Sequence, residues 1–388
     1  MITRREAAKT AAFGALSYSR ILGANDRIGL GVIGTGERGT YVMSLFQKNA
    51  DVDVRALCDV YAVHVDNAQQ RAPNTKTFVD HRKLLELKDV DAVLIGSPDH
   101  WHKDHAIDAM EAGKDVYVEK PMCRTRDEAP LMVKAARVHG RVCQVGLQQR
   151  SGRIYIEPKE KYVATGVLGK ISHIDAIWDG GPIRPLPTEP AEKPSNLDWI
   201  RFLGPVPYRD WVPGQYLNFR AFLDFNGGKM TDFGHHWMDV VHMYMGERAP
   251  NSAVFAGGIY LNQHDGRTAP DTCNALFEYG SFNVLFQSNA YESEYGITFH
   301  GEQGKLFVNR NRYQYTPLRG EGTEVKIPGD ITSDHVRNFL DCCKSRQRPN
   351  ADVAIAAISI LPPLLAVESY LEKRRIDFDP ERLAVLPI

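Results

Sequence analysis

His236 is the side chain best suited to move a proton near neutral pH, and its neighbours in sequence can help it. It stands in the run Gly227-Gly-Lys-Met-Thr-Asp232-Phe-Gly-His-His236-Trp-Met-Asp239-Val-Val-His242. Written on a helix, three- and four-residue spacing puts Gly228, Asp232, His236 and Asp239 on one face. An imidazole whose ordinary pKa lies near neutrality is a natural general acid or base. Asp232, one turn earlier, can orient or charge-tune it. His235, His236, Asp239 and His242 also have the chemistry of metal ligands. Adjacent helix positions diverge by about 100°, so His235 and His236 cannot join one facial set, and no metal is expected.

A second reactive position is Lys120, in Glu119-Lys120-Pro121 directly after the apolar segment Asp115–Val118. An ammonium there can donate to a substrate hydroxyl, and desolvation beside positive charge lowers a lysine pKa toward catalytic range. Pro121 removes a backbone donor and fixes φ, which holds the turn in one shape. Ser97-Pro98-Asp-His-Trp-His102 follows the apolar Ala92–Ile95 in the same way.

The third constellation binds rather than reacts. Gly34-Thr-Gly36-Glu37-Arg38-Gly39 follows the apolar Ile28–Ile33 and precedes the helix-like Thr40–Phe46. Strand, glycine turn and helix N-terminus in that order make a pyrophosphate site. One glycine makes the tight turn, the next admits the phosphate, and the third lets helix pack on strand. Unpaired N–H groups and the positive end of the helix then meet the anion. A second strand, Val52–Cys58, ends in Asp59, about 20 residues past Gly39, where an acid accepts ribose hydroxyls. The residue after Asp59 is Val60 rather than arginine, which favours NAD over NADP.

These residues need elements to hold them. After Asp59 the pattern reads as helix 63–71, strand 77–79, helix 81–87, strand 92–95, helix 105–112, strand 115–118, helix 127–139 and strand 142–145. Strands alternating with helices of about ten residues mean a parallel sheet covered on both faces. Ligands bind beyond the carboxyl ends of such strands. After residue 150 come a helix over 154–165, a strand over 170–178 and a proline-rich loop over 180–213. Apolar segments at 253–260, 273–279, 281–287, 297–300 and 305–308 then crowd together, which indicates a mostly antiparallel sheet. Ser333-Asp334 reads as the cap of a helix with Val336, Phe339, Leu340 and Cys343 on one face. The apolar stretch 351–371, broken by Pro362-Pro363, reads as a kinked helix.

At 388 residues, two domains are expected. The division is 25–150 for nucleotide binding and 151–388 for substrate binding and oligomerisation. With 47 basic and 48 acidic side chains and a net charge of −1, no basic excess exists to bind nucleic acid or an anionic membrane. Six scattered cysteines, with no CxxC, indicate free thiols and no zinc site. No apolar run approaches the 18 or so residues that span a bilayer. Residues 1–24 carry Arg4-Arg5, Lys9 and a mildly apolar stretch, similar to a twin-arginine export signal. The expected location is periplasmic if that segment is such a signal, and cytoplasmic if it is only an N-terminal arm.

The glycine turn with Asp59, the 97–102 and 119–121 turns, Gln144-Val-Gly146 and the 227–239 run occur in one order over about residues 27–380. Together they resemble the glucose–fructose oxidoreductase/inositol dehydrogenase (Gfo/Idh/MocA) family. The resemblance implies an N-terminal Rossmann domain, a doubly wound parallel sheet. It also implies a C-terminal α+β domain whose large, mostly antiparallel open sheet forms the substrate wall and a homodimer or homotetramer interface. It places the catalytic trio on Lys120, Asp232 and His236. The cofactor set is Gly34, Gly36, Glu37, Arg38, Gly39, Asp59, Ser97, Pro98, His102, Glu119, Lys120 and Gln148. Arg150, Trp178, Arg220, Asp232 and His236 face substrate, with Gln148 and Tyr291 as further polar or aromatic candidates. Lys229 departs from the pattern, since many relatives have a third glycine there, and this bears on substrate fit.

The implied activity is hydride transfer between a sugar or polyol carbon and NAD, with His236 accepting the hydroxyl proton and Lys120 stabilising the oxygen. Two other readings stay open. One is a glycosidase or lyase acting by transient oxidation, with the 180–213 loop and its Trp199 and Trp211 accepting a glycoside. The other is a non-catalytic nucleotide-bound sensor that kept the fold.

Overall fold

The computed structural model describes residues 27–179, 185–187, 191–246, 248–289 and 295–387. Tyr291, the N-terminal segment 1–24 and parts of the 180–213 loop lie outside the described residues.

Six strands build the first sheet: β1 Ile28–Ile33, β2 Val52–Cys58, β3 Lys76–Phe78, β4 Ala92–Ile95, β5 Asp115–Val118 and β6 Cys143–Val145. All neighbours pair in parallel, in the order β3-β2-β1-β4-β5-β6. Every residue of β1, β4 and β5 is buried, as apolar runs covered by helices on both faces require. The strand order reverses between β1 and β4, which opens a crevice at their carboxyl ends.

The second sheet has ten strands: β7 Ile171–Ile177, β8 Ser252–Gly258, β9 Thr272–Glu278, β10 Asn283–Ser288, β11 Gly296–Gly301, β12 Gly304–Val308, β13 Arg312–Pro317, β14 Thr323–Lys326, β15 Ile376–Asp379 and β16 Ala384–Val385. Only β7 and β10 pair in parallel; the other pairs are antiparallel. Burial alternates along β10, so one face carries the core. Trp237, Met238, Val240 and Val241 of the Gly228–Met245 helix pack there with Ile174, Ala176, Phe286 and Phe299. Leu365 and Ala366 of the Leu361–Glu372 helix join the same core.

The chain forms two compact units, and they do not divide at a single point near residue 150. Residues 192–211 and 332–357 belong with the nucleotide unit, and the remainder of 147–388 forms the other. The Ile331–Ser345 helix supplies Phe339, whose ring meets Phe46 at 5.9 Å and Tyr117 at 5.8 Å. Its Arg337 pairs with Asp51 at 2.9 Å, and Gln144 Nε2 donates to His335 O at 2.8 Å. The apolar face read from sequence is the one used, but the rings that Phe339 meets lie more than 200 residues away.

Other expectations need correction. The helix over 154–165 stops as an α-helix at Pro158 and continues as a wider π turn over Lys159–Val163, next to the missing proline donor. The 180–213 loop contains a helix, Trp199–Leu203, capped by Asp198, whose side chain accepts the Arg201 N–H. The helix expected at Ser333 starts at Ile331, and the one expected at His105 starts at His102. Strands β13, β14 and β16 bury at most one residue each, and β15 spans only four residues, so they carried little apolar signal. Val353–Glu372, 20 residues with mean hydropathy 1.7, is long and apolar enough by composition to cross a bilayer; 67% of that window is buried within the protein.

All six cysteines are free and buried. Burial pushes the Cys273 thiol up to about 12, which leaves it protonated and unreactive at neutral pH.

Candidate active site

In the nucleotide unit the glycines sort by what a side chain would meet. Gly34 has φ +85°, and a Cβ there would overlap Ser97 N in the loop after β4. A Cβ on Gly39 would overlap Gly34 O, and one on Gly96 would lie 2.8 Å from Gly39 Cα. The loops after β1 and β4 therefore touch at the crevice and leave no room for side chains. Gly36 differs: its Cβ would meet nothing closer than His64 at 3.7 Å. The turn is open on that side, where a phosphate needs backbone access. The helix Glu37–Phe46 starts there with Gly36 as N-cap and no side-chain cap, so its first N–H groups remain for an anion.

Asp59 lies at the end of β2 beside this turn. Its Oδ2 accepts the Thr35 N–H at 2.7 Å, and its Oδ1 accepts the Tyr61 N–H at 3.0 Å. Oδ2 also takes the Thr35 hydroxyl at 3.4 Å. These bonds fix the carboxylate, and Oδ1 keeps a further lone pair for a ribose hydroxyl. The residues present thus fit a dinucleotide: a cradle without side chains, an open anion side and an oriented acceptor.

Arg38 Nη2 donates to Glu119 Oε1 at 2.7 Å, tying the glycine turn to the Glu119-Lys120-Pro121 turn. The Lys120–Pro121 peptide is cis, and Lys120 is half-buried. His102 is 1% exposed, with Nδ1 2.6 Å from Pro121 O and Nε2 2.7 Å from Ser97 O. It clamps the two strand-end turns together. Burial lowers its pKa, against the pull of those two carbonyls. Ser97 Oγ lies 3.0 Å from His105 Nδ1. The Ser97–His102 segment is anchored from the far side: Trp101 Nε1 donates to Phe202 O at 3.0 Å, and His100 Nε2 lies 2.7 Å from the same oxygen. That contact explains why 192–211 packs with this unit. Trp199 is buried there against Trp211 at 5.2 Å, and its Nε1 donates to Arg209 O.

In the other unit, Gly228–Met245 is one α-helix, as the spacing requires. His236 is 3% exposed and Asp232 is 7% exposed, one turn apart. The His236 ring stacks on Trp178 at 5.2 Å and 19°, and Phe233 stacks on Trp178 at 5.0 Å and 9°. Tyr295 meets Trp178 edge-on, and the Arg310 guanidinium lies 5.3 Å from its ring centre. Arg220, exposed, puts Nε 3.4 Å from Asp232 Oδ1.

The other polar residues of the helix are engaged elsewhere. Asp239 accepts Arg150 Nε at 2.8 and 2.9 Å in a buried ion pair. His235 Nε2 lies 3.2 Å from Ser359 Oγ, and His242 Nε2 2.8 Å from Tyr279 Oη. Four directions and four partners make no common ligand set, and no group of three metal-ligating side chains occurs among the described residues. Arg150 thus sits in a core pair, and Gln148 is buried beside it. Thr35, Phe233, Tyr295 and Arg310 were not singled out in the sequence; only their contacts distinguish them.

The chain matches two family models over most of its length. One, an oxidoreductase family with an NAD-binding Rossmann fold, covers residues 28–147; the other, its C-terminal alpha/beta domain, covers 176–386. A myo-inositol 2-dehydrogenase of Thermotoga maritima is 24% identical over 365 residues, 90% of this chain and 98% of that protein. A glycosyl hydrolase family 109 protein of Shewanella is 31% identical over 158 residues, 38% of this chain, and the match spans only 34% of that relative's length. Among solved structures, a levoglucosan dehydrogenase in complex with NADH and levoglucosan superposes with a TM-score of 0.72 at 17% identity, covering 91% of this chain and 99% of that one. With the glycine cradle, the oriented Asp59 and both family matches on one chain, the protein belongs to the Gfo/Idh/MocA oxidoreductase family, and its N-terminal unit is an NAD-binding Rossmann domain.

Proposed function

We propose that the protein is an NAD-dependent dehydrogenase that oxidises a hydroxyl-bearing carbon of a sugar or polyol. The observation that carries this reading is the Asp232–His236 pair, aligned on one helix face under Trp178, in a chain whose Rossmann unit presents Lys120 at a strand end. Bound NAD supplies the hydride acceptor. His236 accepts the hydroxyl proton as the carbon is oxidised. Lys120 donates a hydrogen bond to the same oxygen and offsets its developing negative charge. Asp232, one turn from His236 on the same helix, orients the imidazole, and Arg220 beside it limits where its carboxylate can point. The full-length relative named as an inositol dehydrogenase supports a polyol or sugar ring as substrate.

The test is a panel of sugars, polyols and glycosides with NAD and with NADP. Accumulating reduced nicotinamide with a free sugar or polyol supports the dehydrogenase. Aglycone release without net reduction favours transient oxidation. Neither product, with no nucleotide released on denaturation, contradicts both. Residues 1–24 and the half-covered sheet face bearing His173, Asp175 and His300 support two lesser proposals, export and self-association. Lysines in place of Arg4 and Arg5 would abolish export of a reporter fusion, and sedimentation would show a monomer if the second is wrong.

A further inference from the structure

A cavity of about 290 Å³, wholly within the substrate unit, opens at the start of the Gly228–Met245 helix. Its charged lining residues are Arg220, Lys229 and Arg267, with no carboxylate among them; Leu186, Ala269 and Pro270 are among the rest of the wall. Two of the three cations already face an acid. Arg267 Nε donates to Asp265 Oδ1 at 2.9 Å in a buried pair, and Arg220 reaches Asp232 at 3.4 Å. Lys229 is different. Its Nζ donates to Asn289 O at 3.1 Å, and among the described residues no carboxylate lies within ion-pair distance of it. The nearest acids are engaged elsewhere. Asp271 accepts the N–H groups of Tyr260, Leu261 and Asn262, and Asp179 accepts that of Asn289.

A half-buried ammonium with one neutral acceptor among the described residues for its three hydrogens is costly unless something compensates it. Burial accordingly lowers its pKa. The position is not remote from the chemistry: Lys229 precedes Asp232 by three residues and His236 by seven, so all three lie on one helix face. The open helix end adds partial positive charge there.

We propose that Lys229, with Arg267 and Arg220 beside it, binds an anionic substituent of the substrate, so that the preferred carbohydrate is an acid sugar or a sugar phosphate rather than a neutral ring. This rests on the dehydrogenase reading and names its substrate class. A carboxylate and a phosphate share the required chemistry, and the probes separate them.

The experiment uses the NAD-loaded full chain, with D-glucose, D-glucuronate and D-glucose 6-phosphate and the corresponding galacto and manno series. The wild type is compared with Lys229→Met and Lys229→Arg for turnover and, separately, for binding by calorimetry. The wild type should favour one acidic series over its neutral partner by about 10- to 100-fold in kcat/KM, the worth of a charge-assisted hydrogen bond. Lys229→Met should erase that ratio chiefly through KM, and Lys229→Arg should retain most of it. Preference for uronates assigns a carboxylate, and preference for the phosphates assigns a phosphate. An equal or neutral-favouring ratio in the wild type, or one that Lys229→Met leaves intact, overturns the inference while leaving the dehydrogenase standing. If nothing is turned over, acid-sugar binding that Lys229→Met abolishes keeps the anion site and sinks the redox reading. Absent or unaltered binding overturns the site.

Discussion

Two histidines on one helix, His236 and His242, end in opposite chemistry because of what packs on them. His236 lies flat against Trp178 beside Asp232, while His242 is sealed in the core with Nε2 2.8 Å from the Tyr279 hydroxyl. Burial first, and the Arg150 charge second, push His242 from 6.5 down to about 3. Between those values the unfolded chain binds a proton that the folded chain refuses. Stability from this group is therefore complete above pH 6.5 and is lost as pH falls toward 3. The thermal midpoint of the wild type should drop more steeply below pH 6.5 than that of His242→Gln, whose amide does not titrate. At neutral pH that variant should be less stable by about 1 kcal/mol, the worth of the lost hydrogen bond. At this scale the candidate types were legible in the sequence, since a near-neutral imidazole and an ammonium after a strand are chemistry that residue identity carries, and Asp232 and His236 do lie one turn apart, buried, on one helix. It did not show that Arg150 is spent on Asp239 or that, among the described residues, Lys229 has no acid within ion-pair distance, because both facts depend on residues distant in sequence.

The strand–turn–helix element around β1 allows a sharper test, because its glycines are there for different reasons. Gly36→Ala adds a methyl that meets no protein atom within 3.4 Å, so it should fold with an unchanged thermal midpoint. The methyl projects where the pyrophosphate needs backbone access, and NAD affinity should fall by about tenfold or more in calorimetry. Gly34→Ala should instead lose about 1–3 kcal/mol of stability or more, since φ +85° is strained for alanine and Ser97 N lies only 2.4 Å from the Cβ position. Equal effects of the two substitutions would contradict the cradle. The parallel sheet was legible because fully buried strands read as apolar runs between breakers. The Trp199–Leu203 helix was hidden by surrounding prolines, β13, β14 and β16 by burying at most one residue each, and β15 by its length of four.

Taken as a whole, the chain returns to its first unit before completing its second. The Ile331–Ser345 helix completes the Rossmann core through Phe339, and Arg346 closes on Asp115 beneath β5. Phe339→Ala should therefore destabilise nucleotide binding, lowering the NAD-sensitive denaturation transition by about 3–5 kcal/mol although the residue lies far from the turn in sequence. A transition unmoved by this change would place that helix outside the unit. In the proposed reaction Lys120 and His236 act on one carbinol while NAD accepts its hydride. Its most direct test is single-turnover nicotinamide reduction by NAD-loaded wild type, Lys120→Met and His236→Asn with the best substrate of the panel. The account predicts that each variant binds NAD as the wild type does and reduces it at least about 100-fold more slowly. Either variant reducing nicotinamide within a few-fold of the wild-type rate would contradict it.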